Sequence, residues 1–386
     1  MVSSATVLPG SESRPKRPLD RYIVWVVLLL AVFGVVAVYS AISFLAETKA
    51  GGDTERFLVR HLVRVGMALA AMIVCSVIDY RKLARFSRIA LLASLGLLVV
   101  VQIAGVTSGG ATRWLRIGSF GFQPSDLARV ALILYTGVLL AKKQAYIKSF
   151  SRTFLPVLVW VLAACILIGI EDLSSALMLL ATAMLMCFVA RVSILHLGGL
   201  ATLGVALSLL LLLGSPNRAA RLESYLGLDL FRHTETEEVS SDQAEGYQAQ
   251  QARIAFAMGG LTGVGPGKST QRDFLPAPYN DFIFAIVAEE YGFLGAMALL
   301  GAFLTVLFRG FLRIARRAPD PLGLFLGVGL TTSVALYAFV HAAVACGLLP
   351  VTGLPLPFVS YGGTSMVATG MMFGILLNIS RQCAER

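Results

Sequence analysis

Apolar runs of about twenty residues recur along almost the whole chain, separated by short polar stretches. They fall near 22–46, 61–79, 87–106, 125–141, 154–170, 173–190, 194–214, 282–308, 322–346 and 364–380. Runs of that length predict helices that cross a bilayer, because a helix satisfies its own backbone groups in hydrocarbon. One long polar piece, 215–281, separates the seventh run from the eighth. The expected fold is therefore an all-α polytopic membrane protein with ten transmembrane helices, forming a single domain over 22–380. Short tails, 1–21 and 381–386, flank it.

Charge sets the orientation. Residues Arg14, Lys16, Arg17 and Arg21 share one side with Arg81, Lys82, Arg85 and Arg88. Lys142, Lys143, Lys148, Arg152 and Arg191 fall on that side too, as do Arg309, Arg313, Arg316, Arg317, Arg381 and Arg386. Short loops on the other side carry only Lys49, Arg56, Arg60, Arg113 and Arg116. The basic side is expected to be cytoplasmic, with both termini inside and 215–281 a large extracytoplasmic loop. The net charge of +10 is thus an orientation signal rather than a nucleic-acid footprint. The polar loop has no cysteine, so it carries no disulfide framework. No small-residue cleavage site follows the first run, so no cleavable signal peptide is expected.

Four stretches carry candidate chemistry, all expected outside, where ATP is not available. The most informative is Phe274–Phe293, in which Asp281 stands where the polar loop meets the eighth run. An acid at the water–lipid boundary is costly and usually has a task. Glu289 and Glu290 lie about two turns further in, and at least one is expected to be structural. Upstream, Gly259–Arg272 is Gly-rich. It lacks the Walker spacing, since Thr262 stands where the first Gly belongs. It reads as either a flexible turn or a backbone anion cradle helped by Lys268, Gln271 and Arg272. In the loop before the fourth run, Arg113 and Trp114 read as lining a substrate groove, or Trp114 as an interface residue. Asp126 and Arg129, three apart, predict an ion pair. Finally, Pro and Gly break Leu349–Ser365 just before the last run. That stretch, with Ser360 and Tyr361, reads as a re-entrant, cavity-lining loop or an outer turn. Four histidines, His61, His196, His233 and His341, show no zinc-ligand spacing, so no protein metal site is expected.

Together these motifs resemble the SEDS family (shape, elongation, division and sporulation proteins) over nearly the whole chain after about residue 20. The resemblance rests on Arg113-Trp114, Gln123-Pro-Ser-Asp126, Gly246-Tyr-Gln248, Gly263-Val-Gly265, Phe274-Leu-Pro276, Asp281-Phe-Ile-Phe284, Ala288-Glu-Glu290 and Pro357–Gly363. Tyr279-Asn280 and Gly263–Ser269 are nearer to division-type than to elongation-type members. Two departures stand out. Asp126 and Arg129 replace the family's usual Glu and Lys, keeping the charge signs but not the reach. Ala277 replaces an acidic residue.

The resemblance implies polymerisation of lipid II into peptidoglycan glycan strands at the outer face of the bacterial cytoplasmic membrane, for septal wall synthesis. It implies as partners a class B penicillin-binding protein and other divisome or elongasome membrane proteins. Asp281 aligns with the family's essential acid and is expected to act as general base. Arg113, Lys268 and Arg272 are expected to meet the leaving pyrophosphate, with at most a divalent cation, Mg2+ or Mn2+, as cofactor. Two rival functions stay open, a flippase for the same precursor and a non-catalytic scaffold. An elongation-type polymerase is the alternative within the family.

Overall fold

The computed structural model describes residues 18–49, 54–108, 111–117, 120–214, 239–275 and 277–383, with Ala219, Leu222, Glu223 and Tyr225 between them. The long polar piece also carries an acidic run, 235–242, whose first part, 235–238, lies outside the described residues.

Each apolar run coincides with a helix. In chain order these are α1 (Arg21–Lys49), α2 (Thr54–Val77), α3 (Tyr80–Ala104), α4 (Pro124–Lys142), α5 (Leu155–Gly169), α6 (Leu173–Val189) and α7 (Ile194–Leu213). An additional helix, α8 (Val239–Gly259), precedes α9 (Ile283–Phe308), α10 (Pro321–Ala345) and α11 (Thr364–Gln382). Among the described residues, eight helices are long and apolar enough to cross a membrane. Helix α6 is apolar but shorter, and α11 is interrupted by polar residues such as Thr369 and Asn378. These polar groups are tolerated because α11 runs through the middle of the bundle, shielded from lipid. The Asn378 amide donates to Ser76 O at 2.8 Å, and its oxygen accepts from Tyr80 N at 3.0 Å. A Cβ on Gly370 would come within 2.2 Å of Ala68 O, so α2 and α11 pack backbone to backbone.

Helices α2 and α3 each begin about two turns before the apolar run does, because their first turns are charged and extend past the hydrocarbon. Two larger departures concern the polar segments. The Arg113 loop is a three-stranded antiparallel sheet, β1 (Val106–Ser108), β2 (Ala111–Ile117) and β3 (Phe120–Phe122), paired in that order. The long polar piece contains α8, whose Ala252 and Ala255 are fully buried against the bundle. Helix α8 shows no apolar run because only a stripe of small residues, Ala252, Ala255 and Gly259, is buried.

Helix α9 is broken at Gly292 (φ 67°, ψ −169°). The break frees backbone groups that the Gly-rich segment satisfies. Val264 N and Gly265 N donate to the carbonyls of Glu289 and Glu290, both at 3.0 Å, while Phe293 N donates to Gly260 O at 2.9 Å. The approach requires glycine on both sides: a Cβ on Gly292 would lie 2.4 Å from Gly263 N, and one on Gly263 2.2 Å from Glu290 O. A helix interrupted at this depth survives only when something else pairs its backbone.

Candidate functional site around Asp281

Asp281 sits in the turn that leads into α9. Its N–H donates to Ala277 O at 3.3 Å, and Phe282 caps the helix. The residue is half-buried. Its carboxylate lies against Gly353, Oδ2 being 3.9 Å from where a Cβ there would stand.

The opposing wall is the broken stretch before α11. It is not an outer turn: Leu354, Leu356, Phe358, Val359 and Ser360 are all buried. Helix α1 presses directly on its backbone, since a Cβ on Gly34 would meet Phe358 O at 2.4 Å. Its polar groups find partners in the protein, as burial demands. His341 Nδ1 bonds Leu354 O at 2.6 Å, and Ser360 Oγ accepts from Leu356 N at 2.8 Å. The same hydroxyl donates to Asn280 O at 2.8 Å, and Tyr361 N donates to Tyr279 O at 2.9 Å. Ser360, expected to contact substrate, is therefore a buried strut between the loop and the Asp281 turn.

Aromatic rings line the turn. Tyr279 and Tyr361 meet edge to face, centroids 5.5 Å apart. Burial, then the neighbouring Tyr361 and Asp281, push the Tyr279 phenol above its ordinary value, so it stays a neutral donor beside the acid. From α2, His61 stacks on Tyr361 at 5.4 Å and the Arg64 guanidinium lies 4.3 Å from that ring's centroid. Neither residue was singled out from the sequence as a site residue. The available signal was a cation in the first turn of an apolar run, three residues from another polar residue.

The remaining expected site residues lie elsewhere. The Gly-rich segment does form an anion cradle, but the anion is the protein's own. The Glu289 carboxylate accepts from Thr270 N at 2.9 Å, Thr270 Oγ1 at 3.0 Å, Gln271 N and the Ser269 hydroxyl. Glu290 accepts from Ser40 of α1. Gln271 is buried, so it is not offered to a ligand. Arg272 donates to Ser40 O at 3.1 Å and pairs with Asp273 at 3.5 Å. Of Lys268, Gln271 and Arg272, only Lys268 is exposed.

Arg113 is held at the α5–α6 corner. Its Nε donates to Glu171 O at 3.1 Å, and Nη1 lies 3.4 Å from Asp172, the residue that caps α6. Trp114 lies over Gly121 of β3, Cε3 being 3.2 Å from where a Cβ there would stand. Asp126 and Arg129 form a buried pair at 3.6 Å; Arg129 also lies 4.0 Å over the Tyr337 ring, and Asp126 accepts from Thr364 Oγ1 at 2.8 Å. That last bond ties the start of α4 to the start of α11.

Fold and site together define a multi-pass helical membrane protein with a carboxylate held between a helix start and a buried, Pro-rich loop. The family model described as cell cycle protein, covering FtsW, RodA and SpoVE, matches residues 20–385, and the chain belongs to that family. It is 39% identical to the probable peptidoglycan glycosyltransferase FtsW of Geobacter metallireducens, covering 94% of this chain and 96% of that one. It is 37% identical to stage V sporulation protein E of Bacillus subtilis, covering 94% and 97%. Among solved structures it resembles a chain of a peptidoglycan synthase complex described as coordinating polymerization and crosslinking. The TM-score is 0.73 at 27% identity, over 94% of this chain and 98% of that one. The rod shape determining protein RodA of Thermus thermophilus matches with a TM-score of 0.68 at 25% identity, over 95% and 98%.

Proposed function

We propose that this chain is a peptidoglycan glycosyltransferase that polymerises lipid II into glycan strands at the outer face of the bacterial cytoplasmic membrane, in its division-type form. The proposal includes ten spans with both termini inside, the 215–281 segment outside, and a class B penicillin-binding protein as cross-linking partner. The observation that carries the site is the position of Asp281: half-buried, at a helix start, walled by the Pro-rich loop and beside two tyrosines.

In this reading Asp281 takes the proton of the acceptor's 4-hydroxyl as that oxygen attacks the donor's anomeric carbon. The bond from that carbon to the pyrophosphate breaks, and undecaprenyl pyrophosphate leaves. A single displacement inverts the centre, giving a β-1,4 link from an α-linked donor. Among the described residues no three His, Cys, Asp or Glu side chains gather to hold a metal ion. A divalent cation, Mg2+ or Mn2+, would help neutralise the substrate's pyrophosphate when bound. Of the proposed pyrophosphate contacts, Lys268 retains a free approach, whereas Arg113 and Arg272 would have to exchange protein partners.

The test is polymerisation of fluorescent lipid II by purified protein, with and without the penicillin-binding partner. Wild type should give polymer and Asp281→Ala none, at equal expression and melting temperature. Wild-type rates from Asp281→Ala would remove the base from this mechanism. Movement of lipid II across liposome bilayers without polymer would replace it with the flippase.

A further inference from the structure

Helix α2 delivers two polar residues to Tyr361 from successive turns. His61 is fully buried, and neither ring nitrogen has a hydrogen-bond partner among the described residues. Its ring stacks on Tyr361 at an interplanar angle of 25° and pins it. Arg64 lies over the same ring at 4.3 Å and is only partly buried. This arginine stands about 15 Å along α2 from Thr54, at 1.5 Å per residue. That places it one turn inside the apolar run, near the end of α2 that is expected outside, where a cation still needs a partner or a wet cavity. Arg113 and Arg272 have carboxylates within 3.4 and 3.5 Å. Arg64 has the Tyr361 ring, and among the described residues no carboxylate pairs with it.

Tyr361 is joined to the Asp281 turn through the Tyr279 carbonyl, so the guanidinium is coupled to the same structural unit as the acid. A guanidinium packed on an aromatic face keeps its N–H edge available to acceptors, and that fork matches two phosphate oxygens.

We propose that Arg64, held by Tyr361 and His61, is the binding group for the pyrophosphate of a polyprenyl-linked donor. The inference rests on the transferase reading for its substrate class, and it assigns the role to a residue in none of the motifs that point to that reading. As the anomeric bond breaks, one more negative charge develops on the pyrophosphate. A fixed cation there stabilises the transition state as well as the bound donor.

The test uses the full-length purified chain with undecaprenyl pyrophosphate as ligand and undecaprenol as control. It compares wild type with Arg64→Gln, Arg64→Lys, Asp281→Ala and the cytoplasmic-side Arg85→Gln. Arg64→Gln should weaken undecaprenyl pyrophosphate binding by on the order of tenfold or more, as expected for loss of a charge-assisted, two-pronged contact. Arg64→Lys should recover part of it, and Arg85→Gln none of the loss. Undecaprenol binding should stay level throughout. Asp281→Ala should keep undecaprenyl pyrophosphate binding while losing polymerisation, which separates the two proposals. Selective loss in Arg64→Gln would support the Arg64 site even if wild type made no polymer. Wild-type affinity in Arg64→Gln, or no wild-type binding at all, would overturn it. Should Arg64→Gln not yield folded protein, Arg64→Lys decides: binding weakened severalfold at an unchanged melting temperature supports the site, and unchanged binding overturns it.

Discussion

The carboxylate of Glu289 accepts from both the backbone N–H and the hydroxyl of Thr270, at 2.9 and 3.0 Å. A segment whose glycines suggest phosphate binding is thus closed around an anion supplied by the helix beside it. The clamp sits where α9 is broken, so one carboxylate fixes the segment while its neighbours' backbones repair the helix.

Glu289→Ala should therefore act on folding before chemistry. It leaves the buried donors of Ser269 and Gln271, and the half-buried ones of Thr270, without their acceptor, at a cost of about 3 kcal/mol. Folded yield in detergent should fall. Hydrogen exchange at the amides of Thr270 and Gln271 should quicken, while those in α4 stay protected. Unchanged exchange in that segment would refute the clamp.

Glycines of α9 should separate sharply. Gly292→Ala forces a Cβ to 2.4 Å from Gly263 N at a positive φ, so loss of folded protein is expected. At Gly301, further down the same helix, a Cβ would meet nothing within 4 Å. Gly301→Ala should be neutral or stabilising, by up to about 1 kcal/mol. Melting temperatures of the two variants check both statements.

Gly370→Ala tests the crossing that brings α2 to the site. Its Cβ would lie 2.2 Å from Ala68 O, and the helices would have to part. Polymerisation should fall together with stability, by about 1–3 kcal/mol for overpacking. Wild-type stability with full activity would show that the close crossing is not needed.

Ser360→Ala removes the strut to Asn280 and leaves Leu356 N buried without its acceptor. A stability loss of about 1–3 kcal/mol is expected. The polymerisation rate should fall by more than the loss of folded protein accounts for, since the turn carrying Asp281 is released. Activity that merely tracks the folded fraction would make Ser360 a packing residue only.

Much of the site's outline was legible in the chain. Asp281, the Pro-rich loop and the paired Asp126 and Arg129 are costly residues in an apolar sequence, and such costs mark function or close packing. Arg64 was not, because one arginine inside an apolar run looks like any other until its neighbour is known. Gln271 and Ser360, polar residues beside an acidic motif, read as ligand contacts; the structure buries both, with Ser360 bonded to Leu356 N and Asn280 O.

By itself the sequence determined the helices, because runs of about twenty apolar residues can satisfy their backbone in lipid in one way only. It also singled out Asp281 as a candidate, since nothing else in the Phe274–Phe293 stretch places a charge where the polar loop meets an apolar run. Tertiary structure alone decided that the Gly-rich segment repairs α9, that a sheet carries Arg113 and that α2 brings Arg64 to the Asp281 turn. Those outcomes depend on which backbones approach one another closely enough to share hydrogen bonds. That is a property of pairs distant in sequence, and no local pattern encodes it.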